Sequence, residues 1–378
     1  MHVPLLDLKA QLNTIREELN VAINEVVEST RYILGPKVIE LEQKIAEYCG
    51  VRYGLGVSSG TDALLIALMA LDVKKDDLIV TTPYSFFATA GTVARLGAIP
   101  VFVEIDPVSY NIDTELLEKW FVENPDKISQ VKAVIPVHLY GQCADMDKIL
   151  KICNKYNIPV IEDAAQAIGS KYPSQEGLKK AGSMGAIGCF SFFPSKNLGC
   201  LGDGGMVVTD DEALYEKLVK FRNHGSSPKY YHALIGGNFR LDAIQAAVTT
   251  VKLKYLDQWH ASRQANADYY NQSLNINEVT KPKAMYGIEN HIYNQYIISV
   301  DEERDELRKF LDKFEIGNEV YYPVPFHMQE CFQYLGYKQG DFPKSEYAAN
   351  HSIALPIYPE LTTAMQKYVI EKIEEFYK

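Results

Sequence analysis

The chain has 378 residues, 47% hydrophobic and 23% charged, enough for two domains with cores of their own. Lys and Arg number 38 against 49 Asp and Glu, and the net charge of −11 excludes a nucleic-acid partner, which needs a basic footprint. It does not exclude a small phosphorylated ligand, which a helix N-terminus can hold without a basic surface.

The six cysteines form no C-x-x-C pair and no metal-ligand spacing, so neither a metal site nor a disulfide framework is expected. Several lie inside apolar runs, as buried thiols of a reducing, cytoplasmic compartment do. The segment MHVPLLDLKAQL lacks the pattern of a secretory signal, and no run of 18 apolar residues suggests a membrane span.

In chain order, apolar periodicity predicts an amphipathic helix over 8–28 and a second over 36–48, with Pro36 just inside its start. Short apolar runs follow near 53–58, 78–82, 99–103, 131–138, 158–162, 186–193 and 205–209. Helical patterns separate them near 61–71, 85–96, 113–122 and 145–156. Strands apolar on both faces and separated by helices predict an α/β fold, a mainly parallel sheet covered by helices on both sides. Residues 240–275 read as one long helix or two in tandem, leading out of the sheet domain. A strand (292–300), a helix (302–314), a strand (317–322) and a helix (361–376) then form a smaller C-terminal α+β domain, so the expected division is 1–250 and 251–378.

Three segments carry chemistry. In GVSSGTDALLIAL (56–68) a strand ends at Ser58-Ser59-Gly60-Thr61 and a helix begins at once. Its free N–H groups and dipole make either a phosphate seat or a plain capped turn. The spacing Gly54-x-Gly56-x-x-x-Gly60 is one residue too long for a dinucleotide fingerprint, which argues against a nicotinamide-dependent dehydrogenase. In NIPVIEDAAQAIG (157–169) an apolar strand runs into Glu162-Asp163, and a carboxylate at a strand's carboxyl end either faces a ligand or caps a helix. In CFSFFPSKNLGCLGDGGMVVT (189–209) a lone lysine, Lys196, follows a buried aromatic strand, with Ser191 nearby. A lysine in apolar surroundings loses proton affinity and becomes a nucleophile for an aldehyde, whereas a solvated one does not.

The order of phosphate seat, Asp and Lys, each at a strand end, resembles the DegT/DnrJ/EryC1/StrS sugar aminotransferases. The likeness runs from YILGPKVIELE (32–42) to ALPIYPEL (354–361) and is sharpest at SSGTDAL, TTPYSFFATA, VHLYGQCADM, IEDAAQ, SFFPSKNLG and GGNFRLDAIQAAV.

The resemblance implies a fold type I enzyme dependent on pyridoxal 5'-phosphate (PLP), with pyridoxamine 5'-phosphate as its alternate form. It implies that Lys196 forms the Schiff base and then moves protons, and that Asp163 holds the pyridinium. Phe86 stacks on the ring; Gly60, Thr61 and Ser191 hold the phosphate; Gln166, where many relatives have His, lies near the ring oxygen. Asn238 reaches the phosphate of a partner subunit, making a homodimer part of the site. Arg240, Tyr322 and His327 fall where relatives contact the sugar nucleotide. Asn238 and Arg240 alternatively anchor the following helix, and His327 is alternatively a packing residue.

The implied reaction moves an amino group from L-glutamate to a keto-sugar nucleotide, at C-3 of a UDP- or dTDP-linked sugar, with C-4 as the alternative. The implied purpose is amino-sugar supply for lipid A, lipopolysaccharide or O-antigen. A non-catalytic sensor built on the same fold is the rival from outside enzymology, against which stands the intact Asp163, Ser191 and Lys196 set.

Overall fold

The computed structural model describes all 378 residues. Twelve strands form: β1 (Tyr53–Val57), β2 (Leu78–Thr81), β3 (Ile99–Phe102), β4 (Val131–Ile135), β5 (Ile161–Asp163), β6 (Lys171–Ser174), β7 (Gly177–Lys180), β8 (Ile187–Ser191), β9 (Gly205–Thr209), β10 (Val279–Thr280), β11 (Tyr296–Val300) and β12 (Ser352–Leu355). Two sheets, β3-β2-β4 and β5-β8-β9-β1, are joined by parallel bridges from Val134 to Val160 and from Val137 to Asp163. All pairings across this layer are parallel except those of β9, which runs antiparallel to both β8 and β1. The fold is α/β with a mixed, mainly parallel sheet, as the uninterrupted apolar runs predict.

Successive residues face opposite sides of a strand. Val80, Val134, Val160, Phe190, Met206 and Val208 pack on one face against helices Leu8–Ser29, Pro36–Cys49, Met146–Lys155 and Ala243–Leu253. Ile79, Ala133, Ile135, Ile161, Cys189 and Val207 pack on the other against helices Gly60–Ala70 and Glu212–Arg222. Both faces are dry, which is why these strands carry no alternation of polar and apolar residues.

The 240–275 stretch resolves into two helices, Ala243–Leu253 and Leu256–Ser273, parted at Lys254–Tyr255. Beyond them β10, β11 and β12 form an antiparallel sheet, covered by helices Leu256–Ser273, Arg304–Lys313 and Thr363–Phe376. The N-terminus joins this second core: Val3 bridges to Ile316, its N–H donates to Glu315 at 2.9 Å, and its side chain is fully buried.

The strand expected at 317–322 makes a single bridge, Glu319 to Ala354, and no ladder. Pro323 and Pro325 lack the N–H a ladder needs. The chain departs from the sheet to bring Tyr321 and Tyr322 into the cleft beside the large sheet. The hairpin β6–β7, helices Glu212–Arg222 and Pro343–His351, and strand β12 are additions to the expected elements. No helix is long and apolar enough to cross a membrane.

Candidate active site

The carboxyl ends of β5 and β8 and the start of helix Gly60–Ala70 surround a cavity of about 490 Å³. Gly60, Thr61, Phe86, Asp163, Gln166, Ser191, Lys196 and Tyr322 line it together with Ser85, Val137, Ala165, Ser195 and Gln295. Residues up to 136 positions apart in the large sheet domain (Gly60 and Lys196) thus share one chamber because β1, β5 and β8 run parallel and end on one side, and Tyr322 joins them from the C-terminal segment.

The helix start is built for close approach. The Ser59 hydroxyl accepts the Asp62 N–H at 3.0 Å, and the Ser58 hydroxyl donates to the Asp62 carboxylate at 2.6 Å. A side chain on Gly60 would place its Cβ 2.6 Å from the Ser191 Cβ. Glycine therefore lets Ser191 sit against the first helical turn, whose N–H groups have no partner within the helix. Hydroxyl, amides and dipole converge there on an anion.

Asp163 is fully interior. Its Oδ2 accepts the Thr89 hydroxyl at 2.7 Å, and Thr89 lies 2.9 Å from the Ser85 hydroxyl. The Ala165 N–H reaches Oδ1 at 3.3 Å. Burial raises the carboxyl's pKa, opposed by those hydrogen bonds and by the charge of Lys196. Lys196, partly buried on the cavity wall, is pushed down to about 8 by burial, with Asp163 pulling the other way. At pH near 8 a large share of its amine is unprotonated, the form that attacks an aldehyde.

The neighbouring carboxylate faces the other side of β5. Glu162 is wholly buried and accepts the N–H groups of Gly182 (2.7 Å), Met184 (2.6 Å) and Gly185 (2.5 Å). His138 Nδ1 accepts the Ala144 N–H at 3.0 Å, which leaves Nε2 to donate to Glu162 at 2.8 Å. This set fixes the strand from below while Asp163 faces the cavity. Glu162→Ala would leave three N–H groups and an imidazole without their acceptor, and is expected to cost roughly 3–5 kcal/mol of stability, read as a large fall in Tm.

Gln166 has a defined orientation. Its Oε1 accepts the Tyr140 N–H at 2.8 Å and its Nε2 donates to the Tyr322 hydroxyl at 2.9 Å, so it ties the large sheet to the C-terminal segment. Phe86 leaves 55% of its surface bare at the cavity, with Tyr322 at 6.1 Å between ring centroids. An open aromatic face beside an apolar Val137 and Ala165 suits a flat ring.

Three residues expected at the site stand apart from this cavity. Asn238 and Arg240 lie on the segment after the 224–237 loop, where Arg240 donates to Asn223 Oδ1 at 2.8 Å and its backbone bridges to Val57. His327 is buried, pairs with Glu346 at 2.9 Å and meets Phe342 edge-on, so it is turned into the interior of this chain and away from the cavity. Conversely, Ser85, Thr89 and Gln295 belong to the site without having been singled out. Gln295 carried a legible signal, a carboxamide opening the otherwise apolar run into β11.

The chamber fits PLP: an anion cradle that only Gly60 permits, an interior carboxylate for a ring nitrogen, a bare aromatic face and a lysine of lowered proton affinity. Fold and site together define a PLP-dependent aminotransferase. The sequence profile of the DegT/DnrJ/EryC1/StrS aminotransferase family matches residues 13–374, and the chain belongs to that family.

A relative from Geobacillus stearothermophilus described as a pleiotropic regulatory protein is 46% identical, the alignment covering 100% of this chain and 99% of the relative. A UDP-2-acetamido-2-deoxy-3-oxo-D-glucuronate aminotransferase from Pseudomonas aeruginosa is 39% identical over 97% of this chain and 98% of its own. Among solved structures, S. venezuelae DesV in complex with a ketimine intermediate superposes with a TM-score of 0.93 at 36% identity, covering 99% of this chain and 98% of that one.

Proposed function

We propose that the protein transfers an amino group from L-glutamate to the C-3 keto group of a UDP- or dTDP-linked sugar. The observation that carries the reading is Lys196, lowered in proton affinity and set in one cavity with Asp163 and the Gly60–Ser191 cradle. The choice of C-3 over C-4 is supported by the Pseudomonas aeruginosa relative, whose name places its keto group at C-3.

PLP, when bound, supplies an electron sink for the pair left as a C–H bond beside nitrogen breaks. The protein's residues divide the remaining work. Ser191 and the first-turn amides of Gly60 and Thr61 bind the phosphate. Asp163, ionised, holds a proton on the ring nitrogen through a charge-assisted hydrogen bond. Phe86, Val137 and Ala165 exclude water from the ring faces. Lys196 Nζ would hold the cofactor covalently and, once freed, would act as the base that takes the proton from the donor's α-carbon in one half-reaction and as the acid that delivers a proton to the sugar carbon in the other. Tyr322 and Gln166 face the same space.

Asn238 acts across a homodimer, reaching the phosphate in the site of the second subunit, and Arg240 meets the sugar nucleotide. The exposed Tyr230, Tyr231 and Ile235 of the preceding loop support this arrangement, since large apolar groups gain by being covered. A cytoplasmic location and a part in making surface amino sugars complete the reading; the six free cysteines, five of them buried, support the first.

The test is the visible spectrum of the PLP-loaded protein before and after L-glutamate. Conversion of the lysine-bound PLP band to the pyridoxamine band is expected, followed by its return on adding a 3-keto sugar nucleotide but not a 4-keto one. A second reading, a regulatory protein, is favoured by the description of the Geobacillus stearothermophilus relative. It predicts bound PLP with no turnover across the whole panel of keto-sugar nucleotides.

A further inference from the structure

We propose that Tyr84 is a positioning residue for the reaction: its buried hydroxyl holds the Tyr321–Tyr322 peptide and through it sets the Tyr322 side chain on the wall of the chamber. The proposal rests on the functional reading above and adds a residue that acts from outside the cavity.

The backbone around Tyr322 has little else to hold it. It leaves the small sheet after the single bridge from Glu319 to Ala354, and Pro323 and Pro325 have no N–H to offer. Neither Tyr321 nor Tyr322 makes a hydrogen bond from backbone to backbone. The chain is next secured at Phe326, whose N–H donates to the Pro83 carbonyl at 2.7 Å.

One hydroxyl takes the place of a ladder. Tyr84 Oη donates to the Tyr321 carbonyl at 2.7 Å and accepts the Tyr322 N–H at 3.0 Å, so both polar groups of that peptide meet the same atom. Ser352 Oγ and the Tyr140 hydroxyl each lie 3.1 Å from it and fill its remaining lone pair. The Tyr140 hydroxyl also reaches the Tyr321 carbonyl, but only Tyr84 reaches the Tyr322 N–H. Tyr84, Tyr140 and Ser352 are all buried, which shields these bonds from water and strengthens them.

Tyr84 ties this segment to the reacting end of the sheet. It follows β2 and directly precedes Ser85, whose hydroxyl meets Thr89 and through it Asp163, and Phe86, the open ring of the chamber. Tyr322 is half-buried on the chamber wall, 6.1 Å from Phe86 between ring centroids, and its hydroxyl accepts Gln166 Nε2 at 2.9 Å. Its backbone is thus anchored by Tyr84 and its hydroxyl by Gln166, both from the large sheet domain. Loss of the Tyr84 hydroxyl leaves the Tyr322 N–H without a partner, and the segment gains by moving toward water.

The experiment uses the full chain with Tyr84→Phe, which keeps the ring and its packing. Hydrogen exchange of the apoprotein, read on the fragment carrying Tyr322, is expected to speed up about 10-fold at that amide, with no change across β5. Loaded with PLP and given the 3-keto UDP sugar that the wild type accepts, the variant is expected to lose about 10-fold in kcat/KM. In a Tyr322→Ala background the same change should cost less than about 3-fold, because no side chain is left to position. Ser352→Ala removes another hydroxyl from the cluster without touching the peptide, and should leave both readouts within about 3-fold of the wild type. Unchanged exchange at Tyr322, or wild-type kinetics in Tyr84→Phe, would overturn the assignment. So would an undiminished loss in the Tyr322→Ala background, or the same loss from Ser352→Ala, since either makes Tyr84 a support of the fold alone. A wild-type protein that turns over no keto-sugar nucleotide overturns the functional reading, and the exchange measurement then decides by itself whether Tyr84 holds the segment.

Discussion

Lys196→Ala is expected to lower turnover by about 10⁴-fold or more, because in the proposed function the lysine is both the covalent anchor and the group that moves the proton. The variant should still fold. The Lys196 side chain makes no hydrogen bond or ion pair that holds the core, and burial disfavours its charge in the wild type, where its pKa stands near 8. It should also still take up the pyridoxamine form, because the anion cradle at Gly60 and Ser191 and the interior carboxylate of Asp163 do not depend on the lysine. Single-turnover absorbance with L-glutamate checks this: a variant that converts cofactor within a small factor of the wild-type rate would remove Lys196 from the chemistry. Added alkylamines are expected to restore part of the proton transfer, which a merely structural lysine would not allow.

The pH dependence has a defined sign. The folded pKa of Lys196 lies below the ordinary lysine value of about 10.4, so the reactive free amine grows as pH rises through about 8. Uptake of PLP by the apoprotein should therefore speed up from pH 6.5 to 8 and level off above it. A rate still rising beyond pH 10 would mean that Lys196 is solvated in the working protein.

Asp163→Asn is expected to lower kcat by about 10³-fold while leaving PLP bound, since the carboxamide cannot hold a proton on the ring nitrogen as an anion does. Stability should move the other way. Burial raises the Asp163 carboxyl above its unfolded pKa, so its stabilising share is complete below the unfolded value and is lost as pH rises through the folded one. At neutral pH the ionised group in the empty site therefore weighs against folding, although Thr89 and Ala165 offset part of that cost. Thermal melting of the apoprotein should place the Asn variant at or above the wild type, with the gap closing toward acid. A fall in both Tm and activity would mean that Asp163 serves the fold first. Thr89→Val provides the companion measurement: losing its 2.7 Å bond to Oδ2 should raise the carboxyl's pKa further and move the acid limb of the rate profile upward.

Local sequence pattern was enough for the sheet and the heart of the site. Seven apolar runs became seven strands because both faces of the sheet are covered, which leaves an uninterrupted apolar signature wherever a strand lies. Glycine at 60, carboxylate at 163 and lysine at 196 were legible because each lies at or within a few residues of the carboxyl end of a strand, and β1, β5 and β8 run parallel and deliver those ends to one edge. The short hairpin Lys171–Lys180 was not legible, being half polar and carried on the surface of other elements.

Tertiary structure alone decided the rest. His327 and Tyr322 sit in one segment, five residues apart, yet Tyr322 faces the cavity while His327 turns inward to Glu346. No local pattern distinguishes them, because the direction of each side chain follows from what packs behind it: Gln166 for one, Phe342 and Glu346 for the other. Thr89 likewise has no meaning until it is brought against the end of β5 from 74 residues away along the chain (Thr89 to Asp163). The sequence by itself determined which groups stand around the carboxyl ends of the strands, since that depends on residue type and local pattern; which neighbours tune and aim them is a property of long-range packing, and only the folded chain holds it.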